Sequence, residues 1–363
     1  LKLSKTFSWY LGRQYLLWFA CTLLLLIAII SLFDFVELLR RTSRSEASLG
    51  VVATMSLLKL PHMAEKATPF AALFGAMYAF WRLNRYNEVV VARSAGVSVW
   101  QFLFPVLLVA VGIGAFKIML FNPVATAALL RYEQLEAKFI RGKSSLVAVA
   151  EEGLWLRQMT DDGHYVLHAR EVSTTHMLLR DVMVLLMQGT DTFVGRIDAP
   201  AATLEPGHWT LHDARLNSPD APPRPLLSHR IDTDITAENI QDSFAPPQTV
   251  SFWALPAFIR VLERAGFSAL RHRLHWYAQT ADPALLCAMV LLAATFSLRP
   301  IRRGGTAVRM VGGIVTGFLL YFLSDVVSAL GVSARIPVAL AAWSPATISC
   351  LLGTAILFHL EDG

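Results

Sequence analysis

"YLLWFACTLLLLIAIISLF", Tyr15–Phe33, contains no charged side chain. A helix needs about 20 predominantly apolar residues to cross the hydrocarbon core of a bilayer, so this run has the composition and length of a membrane span. It continues into "DFVELL" and ends at Arg40. A cleavable signal peptide is the rival reading. The run is too long for one and has no small-x-small cleavage site before Asp34. Composition agrees with a membrane protein: of 363 residues, 55% are hydrophobic and 16% charged, with mean hydropathy +0.48. A soluble protein carries about a quarter charged residues. Cys21, Cys287 and Cys350 each lie inside an apolar run and form no CxxC pair, so no disulfide framework is implied. The net charge of +5 has its basic residues at the ends of apolar runs, as topology signals do, and not on a soluble nucleic-acid-binding face.

Working outward, the second run starts near Met55. It holds Lys59, Glu65 and Lys66 before an uncharged stretch from Ala67 to Trp81. The third runs from about Val99 to Phe121, with Pro105 early, Lys117 late and Asn122-Pro123 as its stop. Three more follow near the other end, at Trp276–Leu298, Met310–Leu330 and Ile336–His359. The expected fold is an α-helical membrane protein of six spans, in two groups of three. Between the groups, residues 140 to 250 hold short runs with partial alternation, separated by Asp-Gly, Gly-Thr-Asp and Pro-Gly turn signals. These predict an all-β domain, a sandwich or an open barrel-like roll. "FWALPAFIRVLERAG", residues 252 to 266, has helical apolar spacing and a terminal glycine, which predicts an amphipathic connecting helix. The expected divisions are 1–135, 136–250 and 251–363. Lys and Arg near the span ends count ten on one side and five on the other, which predicts both termini in the cytoplasm and the β domain outside. The cluster Arg40, Arg41 and Arg44 is the exception to that rule.

Motifs for covalent chemistry are weak. "AKFIRGKSS", residues 137 to 145, has half of a phosphate-binding loop but lacks the first glycine and follows no strand. "HRLH" and "HWTLH" pair two histidines at ligand-like spacing without a third ligand, so no metal site is expected. Neither GxSxG nor HExxH occurs, and no catalytic residue is assigned. An intramembrane hydrolase would need a nucleophile and base that are not found, and an envelope scaffold would leave the charges within spans without a role. Those charges cost free energy in lipid, so they face a bundle interior, a water-filled cavity or a partner. Glu65, Lys66 and Lys117 read as snorkelling or buried groups, and Asp325 as a partner for Arg335 or for another subunit. With Arg40, Arg41 and Arg44, they make a net-basic rim suited to an anionic lipid headgroup.

The segment "WRLNRYNEVVVARSAGVSVWQF", residues 81 to 102, joins the second and third runs. Asn84 or Asn87 is a candidate N-cap, Glu88 falls in the first turn, Arg93 in the last, and Gly96 is a stop. The spacing predicts a short helix with Tyr86, Val89, Val90 and Arg93 on one face. It either lies in the membrane surface or inserts as a peg in a groove of a cytoplasmic partner.

This segment resembles the loop between the second and third spans of lipopolysaccharide export permeases of the LptF/LptG family. "DFVELLRR" after the first span, "FNPVATAALLRYEQLEAKFIRGKSSLVAV" after the third and "FSLRPIRRGG" after the fourth are similar to that family in the same order. "DSFAPPQTVSFWALPAFIRVL" and "FHLEDG" look most like its LptG branch, of alphaproteobacterial type. The resemblance covers essentially the whole chain. It implies a transport subunit of the bacterial inner membrane with a periplasmic β-jellyroll and no cofactor of its own. ATP and Mg are bound by a dimer of a separate LptB-type ATPase. An LptF-type permease and an LptC-type single-span protein complete the assembly. The substrate leaves the outer leaflet of the inner membrane for a periplasmic bridge. The segment at about 84–96 is then a coupling helix, with Arg85, Tyr86, Glu88, Val90 and Arg93 toward the ATPase. Arg40, Arg41, Arg44 and Lys66 stand for the headgroup site, and Trp155, Leu156 and Val166 for an acyl-chain path. Asp34 replaces a lysine of some relatives. A less phosphorylated substrate, or an ion pair from Asp34 to Arg40 or Arg41, is expected to explain it.

Overall fold

The computed structural model describes the chain apart from residues 1–4, 43–47, 142–145, 151–152, 161–162, 174–177, 189–191, 220, 234–244, 265–266, 299–305 and 362–363. It contains two compact units, Leu1–Ile140 with Leu274–Gly363, and Arg141–Arg273.

The first unit is helical. Its elements are α1 (Lys5–Thr42), α2 (Leu49–Arg85), α3 (Glu88–Ser94), α4 (Val99–Phe116) and α5 (Asn122–Glu136). Most of α7 (Leu270–Ser297), α8 (Thr306–Val332) and α9 (Val338–Glu361) completes it. Among the described residues, five helical stretches are long and apolar enough to cross a membrane, in α1, α4–α5, α7, α8 and α9. The remaining expected span, α2, is less apolar because of Lys59, His62, Glu65 and Lys66. Its uncharged half is rich in alanine and buries Ala71, Ala72, Ala76 and Phe80. A Cβ on Gly75 would lie 2.8 Å from the Phe19 Cα, so this glycine sets the closest approach of α2 to α1. The core joins Leu11, Tyr15, Leu73, Leu103, Met289 and Val290 across α1, α2, α4 and α7.

The third span does not stop at Asn122-Pro123. A wide π-helical turn, Lys117–Phe121, precedes α5, and the helix runs on. Proline lacks an N–H and its ring crowds the carbonyl four residues back. A wide turn at that place shifts the hydrogen-bond pattern and takes up the misfit.

The second unit is a seven-stranded antiparallel sheet in chain order. Its strands are β1 (Leu146–Ala150), β2 (Gly153–Thr160), β3 (Gly163–Ser173), β4 (Leu178–Gln188), β5 (Thr192–Glu205), β6 (His208–Ser218) and β7 (Ala221–Asp232). Successive neighbours all pair, so the topology is a meander. The sheet curls into an open roll: Gln158 of β2 accepts hydrogen bonds from Tyr165 of β3 and from Thr233 just after β7. Leu156, Leu167, Val184, Ile197, Leu211 and Trp209 fill its interior. The amphipathic helix α6 (Leu255–Arg264) groups with this unit and not with the spans. It buries Leu255, Ile259 and Leu262, and Phe258 stacks 5.1 Å from His272 at the start of α7.

A crease crosses five strands of the roll. The register holds on both sides, but pairing lapses at Arg170, Asp181, Pro200, Asp213 and Leu227, which lie opposite one another in successive strands. Asp181 and Asp213 have φ of 49° and 50°, and Pro200 has no N–H to donate. Inward residues are three apart there, not two: Leu179 and Val182, Ala199 and Ala202, Leu211 and Ala214. Two successive outward residues on each strand bend the sheet along one line, as aligned bulges do. Aspartate tolerates the left-handed region because its side chain is short and polar, whereas a β-branched residue does not. Asp181→Val is therefore expected to destabilise the protein by about 1–2 kcal/mol and Asp181→Gly to leave it within about 1 kcal/mol of wild type. Thermal unfolding followed by tryptophan emission checks both.

Candidate functional site

The short helix α3 forms where the sequence places it. Asn87 is the N-cap residue, with φ of 57° and no side-chain cap. Gly96, at φ +82°, ends the helix: its N–H donates to the Arg93 carbonyl, and the Val97 N–H to the Ala92 carbonyl. These two bonds make a Schellman stop, which needs a left-handed residue at this position. Next, Ser98 and Gln101 form a reciprocal capping box that starts α4. A break between the long helices α2 and α4 is thus written into the caps and stop between Asn87 and Gln101.

The face expected for α3 is split. Val89 is buried in the chain's own core with Leu83, Val99 and Phe102, so it anchors the helix from behind. Tyr86, Val90 and Val91 are exposed, as are Arg85 and Arg93. The outward surface is therefore Tyr86, Val90, Val91 and Arg93, with Val91 replacing Val89. The reason is that α3 is short and must seat one apolar residue against its own core to be held at all. Glu88 is half-buried, and its carboxylate accepts a hydrogen bond from the Tyr10 hydroxyl at 3.0 Å. Arg82 stands over the Tyr86 ring at 5.7 Å and Arg85 over the Trp81 ring at 5.2 Å. Asn84 donates to the Ser297 carbonyl at 3.2 Å, tying the end of α2 to the end of α7.

The residues expected to meet a headgroup fall on α1 and α2. Arg40 and Arg41 are exposed and both bind Glu37, with closest distances of 2.9 and 2.8 Å. Lys66 is exposed on α2, and Arg44 lies outside the described residues. Asp34 pairs with Lys59 across α1 and α2, at 2.5 Å, and not with Arg40 or Arg41. The Lys59 ammonium also stands 5.2 Å from the Tyr132 ring of α5. Arg40 and Arg41 both sit nearly two turns beyond Asp34 on the same helix, and Glu37 lies nearer to both. Asp325 is exposed on α8 and forms no ion pair with Arg335.

Lys117 does not snorkel. It pairs with Asp282 of α7 at 2.6 Å, both side chains being about five-sixths buried. Glu65 accepts a hydrogen bond from Asn122 at 3.1 Å and lies 3.9 Å from His62. Sequence reasoning missed Asp282, Tyr10 and Asn122. Asp282 had a signal, since it is a carboxylate within the fourth expected span.

In the roll, Leu156 points inward and is fully buried, while Trp155 and Val166 lie on the other face. Trp155 stacks 4.2 Å from His168, its register partner on β3. The three cannot line one path, because alternation puts neighbours on opposite faces of a strand. Among the described residues, no group of three His, Cys, Asp or Glu side chains is placed to hold a metal ion.

The family model for the lipopolysaccharide export system permease LptF/LptG matches residues 9–359. The chain is 24% identical to the lipopolysaccharide export system permease protein LptG of Haemophilus influenzae, over 99% of both chains. It is 22% identical to the protein of the same name from Escherichia coli K12, over 96% of this chain and 97% of that one. A helical unit with five stretches apolar enough to cross a membrane, interrupted in the chain by a unit built on a β-sheet, and with a pinned helix between its second and fourth helices, agrees with this match along the whole length: the chain is a member of the LptF/LptG family of lipopolysaccharide export permeases.

Proposed function

We propose that this permease subunit is driven from outside the bilayer by an LptB-type ATPase dimer that grips α3. The observation that carries this reading is the division of α3 into a buried anchor, Val89, and an outward patch of Tyr86, Val90, Val91 and Arg93. A helix held from behind with an apolar front has the form of a groove-filling peg. Glu88 adds a carboxylate whose direction Tyr10 sets. Both termini and α3 then lie in the cytoplasm, and the β unit in the periplasm. ATP and Mg belong to the ATPase. An LptF-type permease completes the transmembrane cavity, and an LptC-type single-span protein joins the assembly.

In this reading lipopolysaccharide enters from the outer leaflet of the inner membrane and is passed through the roll to a periplasmic bridge. The far end of α1 supplies its headgroup contact. Arg40 and Arg41 share one carboxylate, so the three side chains keep a net positive charge, and both guanidiniums are exposed. A lipid phosphate is drawn to this net positive charge and takes charge-assisted hydrogen bonds from guanidinium. Lys66 adds a further cation on α2. Asp34 does not weaken this end, because Lys59 holds it. For the acyl chains, Leu156 and its inward neighbours are the candidates.

Glu88→Ala is expected to leave insertion intact and to weaken association with the ATPase about thirtyfold, the size of an interface hot spot. Co-purification and ATPase titration measure it, and full assembly with full export in that variant removes the docking role. Arg40→Glu combined with Arg41→Glu is expected to lower crosslinking to lipopolysaccharide. An unchanged crosslinking yield rejects the headgroup contact.

A further inference from the structure

The ion pair between Lys117 and Asp282 has no part in the docking or headgroup contacts, yet three features meet at it. The pair is buried and short, at 2.6 Å. Lys117 opens the π-turn between α4 and α5, one place where that long helix departs from regular hydrogen bonding. Asp282 precedes Pro283, which lies inside α7 and removes one of its backbone hydrogen bonds. Both helices are thus weakened at the same level, where they pack tightly. A Cβ on Gly114 would lie 2.7 Å from the Pro283 Cα and 2.9 Å from its ring, so no larger residue fits without separating the backbones.

The pair is also one of the polar contacts that anchor α7. At the α3 end, Asn84 of α2 donates to the Ser297 carbonyl of α7. At the other end, Lys117 holds Asp282. The two anchor points on α7 are about 22 Å apart at 1.5 Å per residue. Glu65 of α2 closes the frame through Asn122, which follows the π-turn. These contacts give a displacement beside α3 a path along α2 and α7 to the level of the π-turn and Pro283.

We propose that Lys117 and Asp282 form the pivot of this permease: a positioning ion pair that keeps the two helix triplets joined at their bending level while the motion begun at α3 reaches the lipid side. This rests on the reading of the chain as an ATPase-driven lipopolysaccharide permease. Its alternative is a pair that serves folding alone, and the energetics of buried ion pairs separate the two. Removing one partner leaves an uncompensated buried charge and destabilises strongly, whereas replacing both by apolar groups of similar volume is often neutral for stability. The neutral double variant therefore restores the fold without restoring the charge-to-charge joint.

The test uses the full complex with its ATPase and second permease, in proteoliposomes containing lipopolysaccharide. It compares wild type, Lys117→Ala, Asp282→Ala, the swap Lys117→Asp with Asp282→Lys, and the neutral pair Lys117→Met with Asp282→Leu. The readout is lipopolysaccharide delivered per ATP hydrolysed at equal amounts of assembled complex. The neutral pair is expected to assemble and hydrolyse ATP, with lipid per ATP lowered about tenfold, and the swap to recover most of that loss. The single variants are expected to lose at least as much, through poor assembly or poor coupling. A neutral pair with wild-type lipid per ATP overturns the pivot, and so does a swap that assembles without recovery. A wild-type complex that moves no lipopolysaccharide overturns the proposed function, and the pivot with it.

Discussion

A charged side chain buried among packed helices must find a partner, and the contacts between the helices are organised by that requirement. Asp34 on α1 takes Lys59 on α2, Lys117 takes Asp282, and Glu65 takes the amide of Asn122. Each contact joins two elements that apolar packing would also bring together but would not fix in register. Leucine and alanine faces slide over one another at small cost. A buried ion pair does not, because each partner left alone is costly in lipid. The polar contacts therefore specify which turn of each helix faces which, and the glycines at 75 and 114 let the backbones approach closely enough for this to happen.

The sequence was most legible where structure is local. Apolar length gave the spans, and the alternating, turn-punctuated middle gave the strands. Asn87, Glu88 and Gly96 framed α3, because caps and stops act within a few residues. It was least legible where two distant segments decide the outcome. The partner of Lys117 lies 165 residues away, and nothing near either residue names the other. Asp34 looked closest to Arg40 and Arg41 along the chain, but Lys59 on the neighbouring helix reaches it first. Trp155, Leu156 and Val166 could not be sorted by face from composition, since partial alternation fixes a period and not its phase. Pro123 misled for a different reason. A proline stops a regular helix, but a wide turn before it lets the chain continue, and that turn leaves no compositional mark.

Val89 shows how the candidate site depends on the same competition. Read as an isolated amphipathic helix, α3 offers its valines to whatever lies outside. In the folded chain one of them is claimed by the core, and the outward patch rotates to Val90 and Val91. That rotation has a mechanical consequence. A helix of two turns has little stability of its own, so force applied to it passes on only if it is fastened to something stiffer. Val89 provides the fastening, the Tyr10 hydroxyl adds a lateral tie through Glu88, and the Tyr86 and Asn87 amides bond back to the last turn of α2.

The same logic explains why the bends lie where they do. A span that is regular throughout transmits displacement along its axis and bends only gently. Here the π-turn before α5 and Pro283 in α7 lie beside the ion pair, while Pro105 interrupts α4 nearer to α3 and Pro61 and Pro69 lie inside α2. The α3 end of the unit is capped and packed, and the far end contains the π-turn, Pro283 and the ion pair that holds them in register. On the proposed function, a push received at α3 reaches the other membrane face through a fixed ion pair that has a π-turn and a proline beside it.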